Sequence, residues 1–140
     1  QCFDWATPAQ QQVFFLVDQI VFAAENGPGG VGSLNPILSD AMAAPGADAI
    51  KEFLVTYVDM TNRYALIPGL LPALDPTRSG PSIRGGVVHI AETAWYTVGT
   101  QYITANIRTA FNAYRASGLE NDANVQRRLD GLCNVLNSGF

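Results

Sequence analysis

Proline and glycine cut this chain into helix-sized pieces, and that punctuation constrains its fold more than any other feature. Breaks fall at Asn26-Gly27-Pro28-Gly29-Gly30, at Pro45-Gly46, across Pro68–Pro81 with its four prolines, and at Gly118. Proline lacks the amide hydrogen that a helix interior needs, and glycine gives up more conformational entropy than other residues. Between the breaks the apolar residues recur at helical spacing. Thr7-Pro8 is a cap-then-proline start for a first helix from about Pro8 to Glu25, and Asn35-Pro36 starts a second that runs to about Ala44. A third is expected over about Ala47 to Leu66, with Ile50, Phe53, Leu54, Tyr57, Val58, Thr61 and Tyr64 inward and Lys51, Glu52, Asp59 and Arg63 mostly on its wet side. Pro68–Pro81 reads as a non-helical arm pinned by Leu70, Leu71 and Leu74. The longest helical pattern runs from Ser82 to Ser117, with Gly85-Gly86 and Gly99 as weak points and a strand as the competing reading around Ala94–Ile103. Asn121 caps a last helix from Asp122 to about Leu136, whose inner stripe is Val125, Leu129, Leu132 and Val135 or Leu136. No internal repeat or interdomain linker interrupts this order. The expected fold is all-α: one helical domain over residues 1–140, a bundle of about five helices.

The first helix is unusual. Val13, Phe14, Phe15, Leu16, Val17, Ile20, Val21 and Phe22 cover more than one stripe of it, so it needs apolar cover on most sides. Its dense run, Val13–Ala24, is 12 residues long, against about 20 for a membrane-spanning helix. Charge is scarce throughout: 14% of residues are charged and 48% are hydrophobic, where an average domain carries about 25% charged. The net charge of −4 has the wrong sign for nucleic acid, and the single lysine, Lys51, leaves no basic patch for a membrane surface.

Two cysteines, Cys2 and Cys133, lie near opposite ends, which excludes C-x-x-C redox and zinc patterns. A start at Gln1 rather than Met suggests a processed, secreted chain, and in an oxidising compartment the two thiols are expected to pair. That disulfide would tie the N-terminus to the last helix. Closing a loop of this order contributes about 4.7 kcal/mol on the chain-entropy account.

Catalytic and metal chemistry find little support, and the chain is expected not to be an enzyme and to need no cofactor. His89 is the sole histidine. With Glu92 three residues on it shares a helix face, but zinc takes three or four ligands, and a di-iron bundle needs two Glu-x-x-His pairs. The residues favour a structural role for His89. Ser79 and Ser82 lack the strained turn of a nucleophile elbow. Asp18, Glu52, Asp59 and Glu92 are the carboxylates that a two-acid hydrolase could use, and a structural partner for Asp18 is the simpler account. The glycines of residues 27–32 have neither the preceding strand nor the following Lys-Ser/Thr of a phosphate loop, and Arg127-Arg128 reads as a solvated helix face.

Cys2 and the tail Cys133-Asn134-Val135-Leu136-Asn137-Ser138-Gly139-Phe140 are similar to the terminal arrangement of extracellular annelid globins. That resemblance covers about ten terminal residues and implies a secreted, all-helical chain with haem on a proximal histidine, for which His89 is the one candidate. Arg84-Gly85-Gly86-Val87-Val88-His89 departs from the globin pattern, and a second histidine opposite is absent.

Two functional readings remain. One is a secreted, self-associating subunit of an extracellular assembly, a homo-oligomer or polymer joined through helix 1 and the aromatic residues Tyr96 and Tyr102. The other is a carrier of a small hydrophobic ligand, a lipid or pigment, between helices lined by Phe14, Phe22, Tyr57, Trp95 and Tyr102.

Overall fold

A computed structural model of the chain describes residues 35–43, 48, 51, 52, 54, 55 and 64–138. Helix 1, with Phe14 and Phe22, as well as Cys2 and Tyr57, lies outside the described residues. Among those described there are helices and no strands. Helix α1 spans Asn35–Ala43 with Pro36 at its second position, as the cap-then-proline signal predicts. Asp48, Lys51, Glu52, Leu54 and Val55 are helical within the expected third helix, and Tyr64–Leu66 is a 3-10 turn.

The proline-rich arm departs from expectation. It opens with a short helix, α2 (Ile67–Leu70), followed by a 3-10 turn, Leu71–Ala73. Pro68 and Pro72 each sit in the first two positions of their turn, where no amide hydrogen is required. Three leucines hold the arm: Leu70 is fully buried, and Leu71 and Leu74 pack against the core.

The pattern from Ser82 to Ser117 is two helices rather than one: α3 (Pro81–Val98) and α4 (Ala105–Ser117). Gly99 ends α3 at φ +64°, ψ −130°, a backbone that side chains disfavour, while its amide still donates to Trp95 O at 2.8 Å. Thr104 then turns extended, and its Oγ1 accepts from the Ile107 amide to cap α4. Neither strand nor continuous helix therefore occupies Ala94–Ile103. Gly118, left-handed at φ +69°, closes α4. The last helix, α5, spans Ala123–Ser138 and is capped by Asp122 rather than Asn121: Asp122 Oδ1 accepts from the Val125 amide at 3.0 Å.

The core follows these elements. Leu38, Ala41 and Met42 of α1 face α2, at the i, i+3, i+4 spacing of one helix stripe. Helix α3 is enclosed on most sides, burying Ile83, Val87, Val88, Ile90, Ala91 and Ala94. It approaches the helical segment at Val55 so closely that a Cβ on Gly86 would lie 2.6 Å from Val55 Cγ1. Ile107, Phe111 and Tyr114 face inward from α4, and Val125, Leu129, Leu132, Cys133 and Leu136 from α5. Helices α4 and α5 form an antiparallel hairpin, with Asn112 bonded to Asn137 and Arg115 to Asn134. Helices α3 and α5 run parallel, since Gly85 lies by Val125 and Glu92 by Arg128.

Candidate functional site

The strongest polar chemistry is inside the protein, at residues that the sequence pattern does not single out. Arg84 is 2% exposed and Glu120 5% exposed. Arg84 Nε donates to Glu120 Oε1 at 2.7 Å and Nη2 to Oε2 at 3.0 Å, a two-pronged pair. The remaining valences are also met. Arg84 Nη1 donates to Ser79 O, Nη2 reaches Asn121 Oδ1, and the Tyr114 hydroxyl donates to Glu120 Oε1 at 3.0 Å. The Asp122 amide donates to Glu120 Oε2 at 2.9 Å. Burial pushes the Glu120 carboxyl up, but the bonds from Arg84, the Asp122 amide and Tyr114 outweigh it and hold the group below its ordinary range. The hydrogen bond to Glu120 raises Arg84 further, and burial with the same bond pushes the Tyr114 phenol up. A saturated cluster of this kind fixes structure. It ties the start of α3 to the α4–α5 turn, with both Glu120 oxygens and all three Arg84 nitrogens engaged.

A second buried cation corrects the expectation for Lys51. Its side chain is 0% exposed rather than on the wet side, and Nζ donates to Arg78 O at 2.5 Å. Loss of water lowers its pKa, with Asp48 pulling the other way and Arg78 reinforcing the drop. Lys51 and Arg84 thus hold two consecutive carbonyls, Arg78 O and Ser79 O, of the loop before α3. Ser79 completes the clamp by donating Oγ to Ala73 O, and Asp75 Oδ1 accepts from both the Thr77 amide and hydroxyl. Ser79 is therefore a buried structural hydroxyl.

Shallow grooves on the outer surface, among the described residues, include three of similar size. One, of about 190 Å³, gathers Glu52, Val55, Ser82, Gly86 and His89. Ser82 Oγ donates to Glu52 Oε1 at 2.7 Å, so the acid engages the hydroxyl directly, unlike a catalytic triad, where histidine stands between them. His89 and Glu92 line different grooves: His89 is exposed beside this one, while Glu92 lines the groove on the α3–α5 seam. Among the described residues no three His, Cys, Asp or Glu side chains converge as a metal site. Another groove, of about 200 Å³, lies by Arg115, Glu120, Gln126 and Asp130.

The third groove follows the α3–α5 seam and encloses about 220 Å³. Glu92, Trp95 and Tyr96 line it from α3, and Arg128, Gly131, Leu132 and Val135 from α5. Tyr96 stands 72% exposed, whereas Trp95 is partly buried against the core. Arg128 Nε lies 3.8 Å from Glu92 Oε1, an ion pair too long for a hydrogen bond, so Arg128 is not merely solvated as the sequence suggests. Tyr102, expected beside Tyr96 at an interface or beside Trp95 in a pocket, is half-buried and packs its ring on Tyr64 with centroids 5.7 Å apart. Cys133 is a free thiol buried in the core, where loss of water pushes its pKa up, and the expected disulfide to Cys2, which lies outside the described residues, is not shown. No protein-family model, curated protein or solved structure matches the chain.

Proposed function

We propose that the chain is a non-enzymatic, self-associating subunit of an extracellular assembly. The observation that carries this reading is Tyr96, a large aromatic side chain 72% exposed beside a groove on the α3–α5 seam. Tyrosine joins contact area to a hydrogen-bonding tip and is enriched at interfaces. Low charge supports the same reading, because 14% charged residues and a net −4 give weak repulsion between copies. The extracellular setting rests on the two cysteines: we propose that Cys2 pairs with Cys133 and anchors the N-terminal arm on α5, which requires an oxidising compartment. Part of the interface is assigned to the apolar helix 1. The carrier reading puts its pocket partly at Phe14, Phe22 and Tyr57, outside the described residues; three grooves among the described residues, of about 190 to 220 Å³, are smaller than the ~300–1,000 Å³ that ligand-burying pockets usually offer.

Sedimentation velocity over a wide concentration range tests the proposal. Wild-type chain is expected to sediment as a dimer or larger species, and Tyr96→Ser to shift toward monomer. A wild-type chain that stays monomeric at high concentration, with an apolar molecule bound in its native mass spectrum, would favour the carrier.

A further inference from the structure

We infer that a second copy of this chain docks on the α3–α5 groove about a two-fold axis. Arg128 of each copy then meets the partner's Glu92, and Tyr96 of each enters the partner's groove. The inference rests on the self-association proposed above and names the surface that performs it.

Charge is the first argument. The groove carries one anion and one cation, and a two-fold axis places each opposite its complement, because an isologous contact repeats every pairing in reverse. Both groups have unused capacity. Glu92 keeps 30% of its side chain exposed, and its buried Oε1 takes no hydrogen bond from Arg128. Its neighbour Arg128 approaches only to 3.8 Å and keeps 43% of its side chain exposed. A guanidinium arriving from a second copy can pair with the exposed part of the Glu92 carboxylate.

Shape is the second argument. The cavity of about 220 Å³ is too small for the usual organic ligand but has room for an aromatic side chain, and Tyr96 supplies one from the same face. Leu132 and Val135 form an apolar wall for the ring. Gly131 lies exposed on α5, and a Cβ there would meet nothing within 4 Å. Its bare backbone lets a second helix come close at the middle of the contact.

Charge reversal separates contacts between copies from contacts within one. E92R alone and R128E alone each face like charge across the axis, and each is expected to weaken self-association about 100-fold or more. Mixed in equal amounts, the two variants complement each other. The arginine introduced by E92R meets the glutamate introduced by R128E, and the native Arg128 of the first variant meets the native Glu92 of the second. The mixture should recover a dimer that neither variant forms alone. Both variants keep a net negative charge, so bulk attraction cannot produce that recovery. Gly131→Gln is the fold-neutral control: its side chain enters open space in the monomer and should weaken association at least about 30-fold. Sedimentation velocity reads each variant and the mixture, with circular dichroism confirming folded chains. A wild-type chain that associates while E92R, R128E and Gly131→Gln keep its sedimentation overturns this surface and leaves self-association standing. A monomeric wild-type chain overturns both.

Discussion

Arg84 shows how one buried charge can organise several backbone segments. Its guanidinium holds Glu120 from the α4–α5 turn and the Ser79 carbonyl from the loop before α3. Truncating one partner of such a pair leaves the other charge buried without compensation, at a cost of about 3–5 kcal/mol. Arg84→Met should lower unfolding free energy by that order in urea titration, and adding Glu120→Leu should return part of it. Acid titration supplies an independent check. The folded Glu120 carboxyl lies below its ordinary 4.5, so the folded state binds fewer protons there. Its contribution is fully present above that value and is lost as pH falls through the folded pKa. Glu120→Gln should therefore flatten the stability profile below about pH 4.5. Lys51 makes a different prediction. Loss of water lowers its pKa, and the group is fully buried. An amine-acylating reagent should leave Lys51 unmodified in the native chain and label it in denaturant, as read by peptide mass mapping. Rapid native labelling would contradict its burial.

At the scale of elements, glycines divide into those that end a helix, those that permit a close approach and those that face open space. Gly99 and Gly118 terminate α3 and α4 with positive φ. Gly86 lies where Val55 leaves no room, and Gly131 lies where nothing is near. Alanine gains about 1 kcal/mol over glycine in a helix interior, whereas overpacking costs about 1–3 kcal/mol. Gly86→Ala should therefore destabilise the fold by about 1 kcal/mol net, and Gly131→Ala should stabilise it by up to about 1 kcal/mol. Thermal or urea unfolding of the two variants, compared under monomeric conditions, checks the opposite signs.

At the scale of the whole molecule, α1 and α2 pack together at one part of the core, while α3, α4 and α5 form a second set of packed helices joined to it through α3. The disulfide proposed between Cys2 and Cys133 would add a covalent tie from the N-terminal arm to α5. Intact mass of the non-reduced chain should be lower by two hydrogens than that of the reduced chain. Two thiols alkylated in denaturant without reductant would remove the disulfide and the oxidising compartment with it.

Much of the helical order was legible in the chain because its signals are local. Asn35-Pro36 opens α1, Gly118 closes α4, and the spacing of Val125, Leu129, Leu132 and Leu136 defines the inner face of α5. The split between α3 and α4 was only partly legible: Gly99 is visible, but whether a helix bends or stops there depends on what Thr104 caps and what Ile103 buries. Local pattern also misassigned Lys51, since helical phase alone cannot tell a solvent-facing position from one that meets the Arg78 carbonyl. Arg84 and Glu120 are 36 residues apart, and neither carries a local mark of burial. Their pairing, the parallel alignment of α3 with α5 and the groove beside Tyr96 are products of tertiary packing. Caps and periodicity act within a few residues of backbone, so the sequence alone determined the starts and ends of α1 and α5 and the close of α4; where α3 stops, and which charges lose water, depends on surfaces brought together from distant segments, and only the tertiary structure decided that.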